Sequence, residues 1–165
     1  MPASPSDLFA YLDDLGIDHD TVEHAATFTV EEGRHLKASM PGGHSKNLFM
    51  KDKDGTIVLI SAWAESQLKL NQLHKLIGTR RLSFASAELM VECLGVEPGS
   101  VTAFALMNDK QNRVRFIADA ALMGFDTVNF HPLVNTATTA ISQSGFRQFV
   151  AATGHALTEV DFSVL

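Results

Sequence analysis

The chain predicts a single α/β domain built on a mixed, mostly antiparallel central sheet flanked by helices. Three observations carry this expectation. Short apolar stretches with strand character outnumber the helical segments, and several adjoin across tight turns. The helix signals fall among these strands without a regular βαβ repeat. The 165 residues are 45% hydrophobic and 19% charged, enough for one core and one domain over 1–165, with no linker, repeat or low-complexity tract.

Ser4-Pro5-Ser6-Asp7 opens the first helix, with a serine cap and a proline tolerated in the first turn. Leu8, Tyr11, Leu12 and Leu15 recur at helical spacing, and Gly16 ends it. A short extended piece is expected over 18–23. Thr29-Val30-Glu31-Glu32 has the form of a capping box and starts a short helix toward Lys37. Met40-Pro41-Gly42-Gly43 is a loop whose paired glycines permit close backbone approach. It leads into hairpin strands over 45–51 and 56–62, joined by a turn at Asp54-Gly55.

Asn71 to Ile77 reads as a helix closed by Gly78, Arg81 to Ala85 as a strand, and Ser86 as the cap of a helix running to Leu94 before Gly95. A loop, Val96-Glu97-Pro98-Gly99-Ser100, precedes an apolar strand over Thr102–Met107. A turn at Asn108-Asp109-Lys110 gives a strand over Arg113–Ala118 and a short helical piece after Asp119. Strands follow over Thr127–Phe130 and Thr136–Ser142. Ser144 begins a last helix stopped by Gly154, and Glu159–Val164 forms an edge strand.

Bulk properties exclude several classes. A lone cysteine, Cys93, rules out an intramolecular disulfide and a multi-cysteine zinc site, and its apolar helical setting predicts a buried, inert thiol. No leader pattern and no run of ~20 apolar residues is visible, so a cytoplasmic protein without membrane contact is expected. The net charge is −6, but it is unevenly spread. Residues 1–33 carry eight acids and no Lys or Arg, residues 34–81 nine bases against three acids, and residues 82–165 four bases against eight acids. A basic middle in an acidic chain suits local contact with one end of a nucleic acid better than a long duplex footprint. Lys69, Lys75, Arg80 and Arg81 are the candidates.

Among motifs, Lys46 stands out. Strand alternation places it with His44, Leu48 and Met50, opposite Ser45, Asn47 and Phe49. An ammonium among hydrophobes must snorkel to an edge or meet an anion. Gly42-Gly43 lacks the spacing of a phosphate-binding loop, and no serine sits in a nucleophile elbow. Asp18-His19-Asp20 and Glu23-His24 supply only fragments of a metal site, because neighbours on a strand point to opposite faces. No metal or cofactor is expected.

His131 is held extended by Pro132 and leads into the hydroxyl-bearing strand that contains Thr138. It can bind a substrate oxygen, position water, act as a base, or simply be tied to a neighbouring carbonyl. The loop Gly99-Ser100-Val101-Thr102-Ala103 can offer backbone N–H groups to an oxyanion.

Three stretches, Gly43-His44-Ser45-Lys46-Asn47-Leu48-Phe49, Leu94 to Thr102, and Phe130-His131-Pro132-Leu133-Val134-Asn135-Thr136, resemble in order and spacing the YbaK and prolyl-tRNA synthetase-associated aminoacyl-tRNA editing family, above all its freestanding ProX/PrdX-type members. The likeness covers nearly the whole chain. It implies a deacylase for alanine mistakenly attached to proline tRNA, acting on the acceptor end of tRNA(Pro), with transient contact to prolyl-tRNA synthetase and a monomeric state.

By the same resemblance Lys46 anchors a phosphate or ribose of the terminal adenosine, with Asn47 beside it. Gly99 approaches the scissile ester and His131 shapes the aminoacyl pocket. Ser100, Thr102 and Thr138 join them in binding substrate. Ala103 stands where the family's G-x-x-x-P loop has proline, which bears on loop rigidity. Phe28, Val30 and the segment Phe104-Ala105-Leu106 are expected as walls of a small pocket. The alternatives are a deacylase for cysteine or serine esters, a non-catalytic module that binds tRNA or a synthetase, and an esterase for small acyl metabolites.

Overall fold

The turn at Asp54-Gly55 joins the two longest strands. In the computed structural model, which describes residues 1–26 and 29–165, β2 (Gly43–Lys51) and β3 (Ile57–Trp63) pair antiparallel from Ser45–Trp63 to Lys51–Ile57. Gly55 adopts the left-handed φ of +87° that its position demands. Asp52 stitches this turn together: one carboxylate oxygen accepts from the N–H groups of Asp54 and Thr56, the other from that of Arg80. Burial alone would raise its pKa, but these three donors hold it below the ordinary 3.8.

A carboxylate whose folded pKa is depressed contributes stability that is present above its unfolded value and lost as pH falls through its folded one. The stability gap between wild type and Asp52→Asn should therefore be wide at neutral pH and narrow below about pH 4. Urea unfolding at pH 7 and pH 3 checks this, and an equal gap at both would count against it.

The hairpin lies at the middle of an eight-stranded sheet. In order across it run β1 (His19–Glu23), β7 (Ala137–Ser142), β6 (Thr127–Phe130), β2, β3, β5 (Val114–Asp119) and β8 (Leu157–Val160). A two-residue strand, β4 (Ser83–Phe84), pairs with Met50 and Lys51. The β2–β6, β3–β5 and β5–β8 pairings are parallel and the rest antiparallel, as the mixed sheet expected from sequence requires.

One face packs Phe49, Leu59, Phe116 and Phe130 against α1 (Pro5–Asp14), α4 (Ala87–Leu94) and α5 (Gln143–Ala152). Phe130 stacks on Phe146 with centroids 4.6 Å apart. The other face buries Met50, Val58, Ile60 and Ile117 under α3 (Leu73–Ile77) and Phe162. The serine cap expected at Ser4 forms, completed by Asp7 as a capping box, and the box expected at Thr29–Glu32 starts α2 (Val30–Ser39). Cys93 is buried in α4, and burial pushes its thiol pKa up. No helix of the described residues is long and apolar enough to cross a membrane.

Four expectations need correction. Thr102–Met107 is not a strand: Ala103–Asn108 is a 3₁₀ helix, started by Thr102, whose hydroxyl oxygen accepts from the Phe104 N–H. A short apolar run carries no period by which burial in a helix and in a strand can be told apart. Phe104, Ala105 and Leu106 are wholly buried in the core, so they do not wall a pocket. The last helix is capped by Ser142, two residues ahead of Ser144. The final edge strand ends at Val160, where Asp161 caps a 3₁₀ turn over Phe162–Val164.

Candidate functional site

Two glycines decide where β2 meets β6. A Cβ on Gly42, at φ +111°, would strike the Thr127 carbonyl, and one on Gly43 the Phe125 ring. Only bare backbone fits, so the strands pair at Gly43–Val128 and His44–Asn129. There the ladder stops. Ser45 Oγ instead donates to the Asn129 carbonyl at 2.8 Å, replacing the next backbone bond. Beyond this point the strands part.

A cavity of about 150 Å³ occupies the gap, lined by Ser45, Asn129, Phe130, His131 and Thr138, with His44, Ala64 and the Gly33, Leu36 and Lys37 side of α2 around them. A larger groove of about 630 Å³ adjoins it across Leu36 and runs between the end of β1 and α2.

His131 is fixed by its environment. Its Nδ1 lies 3.0 Å from the Ala137 carbonyl, which can only accept, so Nδ1 carries the proton and Nε2 is the nitrogen left to accept. The tie to a neighbouring carbonyl is thus real, and it orients the ring. The loop that follows is held under strain: Leu133 has φ +70°, costly for a branched side chain, and its burial keeps it there.

Thr138 lines the same cavity and meets His24 Nε2 at 2.8 Å, and the His24 and His131 rings lie 6.3 Å apart. His44 meets the Met40 carbonyl through Nε2. Burial lowers its pKa, with the Met40 carbonyl opposing and the nearby Lys37 charge assisting, so the ring is held neutral. Among the described residues no group of three or more His, Cys, Asp or Glu is placed to hold a metal.

Lys46 snorkels as its face requires. Leu48 and Met50 join the second core, while the Lys46 amine donates to the Ser66 carbonyl. Ser66 is in turn anchored by the buried Asp119, which accepts from the Ser66 hydroxyl at 2.6 Å and the Trp63 N–H at 3.0 Å. Lys46 does not line the cavity, and its amine is bonded outside it, at Ser66. Asn47, on the opposite face, accepts from Ser61 Oγ at 2.5 Å and donates to Ser45 Oγ at 3.2 Å. It positions Ser45 from within the sheet and does not line the cavity.

The glycine loop is more distant. Gly99 is exposed at φ +93°, and among the described residues Asn135 of the His131 loop is the only group in van der Waals reach of an added Cβ. The Ser100 N–H is taken by the Glu97 carbonyl, and Thr102 and Ala103 are fully buried. None of the four lines the cavity. Val30 is three-quarters exposed at the start of α2, and Phe28 lies outside the described residues. The structure thus gathers His131 and Thr138 at one cavity, while Lys46, Asn47 and the Gly99 loop do not line it.

Sequence reasoning missed Ser45, His44 and Asn129 as cavity residues and weighed His24 only as a fragment of a metal site. The parallel β2–β6 register brings the first three together, and no local pattern announces it.

A profile of the aminoacyl-tRNA editing domain matches residues 24–149 of this chain. The chain is 39% identical over 154 residues to prolyl-tRNA synthetase associated domain-containing protein 1 of Xenopus laevis, covering 90% of this chain and 91% of that one. It is 30% identical over 155 residues to the prolyl-tRNA editing protein ProX of Acetoanaerobium sticklandii, covering 93% and 94%. The crystal structure of a candidate trans-editing enzyme for prolyl-tRNA synthetase shares the fold, with a TM-score of 0.68, 19% identity, and 98% and 99% of the two chains covered.

Proposed function

This chain belongs to the aminoacyl-tRNA editing domain family, and on that premise we propose that it is a cytoplasmic trans-editing hydrolase that removes alanine from mischarged tRNA(Pro). The observation that carries the reading is the cavity of about 150 Å³ where β2 and β6 part, edged by Ser45, Thr138 and an oriented His131. Ordinary small-molecule sites run from ~300 Å³ upward, so this one selects for a small acyl group. A synthetase shaped for proline cannot fully reject the smaller alanine, and a second site that admits alanine and excludes the proline ring supplies the missing discrimination.

The chemistry asks little of the protein. Water attacks the ester carbonyl, negative charge gathers on that oxygen, and the ribose oxygen leaves with a proton, freeing alanine and the tRNA 3′ end. The ester is already activated and the neighbouring ribose hydroxyl can relay the proton. Orientation and oxyanion stabilisation therefore supply most of the acceleration. In this scheme His131 Nε2 accepts a hydrogen bond from the water or the ribose. Lys46 exchanges the neutral Ser66 carbonyl for a phosphate of the terminal adenosine, a charge-assisted contact. The acceptor stem of tRNA(Pro), and transiently prolyl-tRNA synthetase, are the partners of this reading.

A panel of aminoacyl-tRNAs tests it. The purified protein should clear the alanyl ester fastest and leave the prolyl ester intact. Preference for the correct prolyl ester refutes the reading, faster hydrolysis of seryl or cysteinyl esters reassigns the substrate, and binding without hydrolysis makes the protein a recognition module.

A further inference from the structure

The buried amide of Asn129 is out of balance. The residue is 1% exposed and lines the small cavity. Its Nδ2 faces two carbonyls, those of Pro41 at 3.4 Å and Gly43 at 3.3 Å. Both can only accept, so the nitrogen must face them and the amide cannot be turned around. That leaves Oδ1 buried, and among the described residues nothing donates to it. A buried acceptor without a partner is costly, of order 1–3 kcal/mol, and native structures retain few. A functional site is one of the places where that cost is kept.

The remaining polar groups of the cavity narrow the missing donor. Ser45 Oγ donates to the Asn129 carbonyl and receives from Asn47, and Thr138 Oγ1 meets His24. His131 Nε2 is itself an acceptor. Lys37 aside, the polar side chains lining the cavity present hydrogen-bond acceptors, and a ligand that satisfies them must bring donors. A small group carrying N–H or O–H bonds meets that requirement. On the editing reading above, on which this inference rests, the aminoacyl ester brings one such group, its α-amine.

We propose that Asn129 is the specificity-determining residue for the α-amino group, its Oδ1 accepting a hydrogen bond from the amine once the alanyl moiety enters the cavity. The amine then fixes the acyl group from one side while the cavity wall limits the side chain. The site distinguishes an aminoacyl ester from a plain acyl ester of the same size, because a deaminated analogue leaves Oδ1 buried and unpaired.

Two measurements test this, one of them independent of turnover. The first compares kcat/KM for alanyl-tRNA(Pro) and propionyl-tRNA(Pro), which differ only by the amine. The second compares, by calorimetry, binding of the non-hydrolysable 3′-alanylamido-adenosine and 3′-propionylamido-adenosine. Wild type should favour the amine-bearing member by roughly 10- to 100-fold in both, the range expected of a hydrogen bond to a charged group. Asn129→Leu should erase that preference by weakening only the amine-bearing ligand. Asn129→Asp keeps the acceptor but sets an oxygen against the Pro41 and Gly43 carbonyls, so the paired-ligand comparison in the wild type carries the test if the leucine variant does not fold.

Retention of the wild-type preference in a folded Asn129→Leu protein overturns the inference, and so does a wild type indifferent to the amine, which would mean that ordered water satisfies Oδ1. An Asn129-dependent preference in binding, in a protein that hydrolyses no aminoacyl-tRNA, overturns the editing reading and leaves this inference standing.

Discussion

Lys46→Ala should lower kcat/KM for alanyl-tRNA(Pro) by roughly 10²-fold while leaving the fold intact. The argument starts from what the amine touches now. In the free protein it is satisfied by one neutral carbonyl, that of Ser66, and no carboxylate is bonded to it among the described residues. A phosphate offers a charge-assisted bond in place of a neutral one, worth about 1.5–3 kcal/mol, or about one to two decades in rate. Misplacing the ester over the cavity adds to that loss.

Removing the amine leaves the Ser66 carbonyl partly exposed to water, and Asp119 still holds the Ser66 hydroxyl, so the melting temperature should shift little. Lys46→Arg should recover only part of the activity, because a planar fork replaces a compact point charge at the end of a strand. The readouts are deacylation kinetics and a thermal melt of each variant. Wild-type turnover by a folded Lys46→Ala protein would falsify the placement of the terminal phosphate on this side chain. Loss of turnover together with a large fall in melting temperature would show that Lys46 serves the fold and not the substrate.

Local signals gave the elements that local chemistry governs. Ser4 with Asp7, Thr29 with Glu32, and Ser86 mark the starts of α1, α2 and α4 because each side chain accepts from an otherwise unbonded N–H of its own first turn. Asp54-Gly55 marks the hairpin because one residue there needs positive φ. Signals failed where tertiary packing decides. Beyond Thr102 the run to Met107 is apolar, and the packing of Phe104 against Phe130 and Phe149, with the Thr102 cap, makes it a 3₁₀ turn and not a strand.

The site divides in the same way. Lys46 stands out in sequence because alternation alone puts a cation among hydrophobes, and the structure bonds it outside the cavity; His131, held extended by Pro132, lines it. Asn129 does not stand out, since an asparagine in a short strand looks unremarkable until a parallel neighbour buries it. The Gly99 loop shows the reverse: a glycine loop reads as an oxyanion site in sequence, while here it does not line the cavity, and Asn135 of the His131 loop is the described group nearest an added Gly99 Cβ.

The largest stability effect is expected far from the cavity, at Asp109. Its carboxylate is 1% exposed and accepts three hydrogen bonds. Oδ1 takes the Arg113 N–H at 3.0 Å, and Oδ2 takes the Val114 N–H at 2.9 Å and His155 Nε2 at 2.8 Å. The first two start β5, the strand that joins the hairpin to β8. The third ties that start to the turn after α5, where His155 Nδ1 meets the Thr153 hydroxyl.

Asp109→Ala strands all three donors where water reaches poorly. Each unsatisfied group costs about 1–3 kcal/mol, and relaxation makes the sum less than additive, so a net loss of about 3–5 kcal/mol is expected. For a domain of this size that is a fall of roughly 10 °C or more in melting temperature. His155→Ala removes one bond of the three and should cost less, leaving the start of β5 in place. The double variant should be little worse than Asp109→Ala alone, because the two side chains share the bond that each single change removes. Thermal melts of the three variants decide it, and additive losses would mean that Asp109 and His155 stabilise the fold through separate contacts.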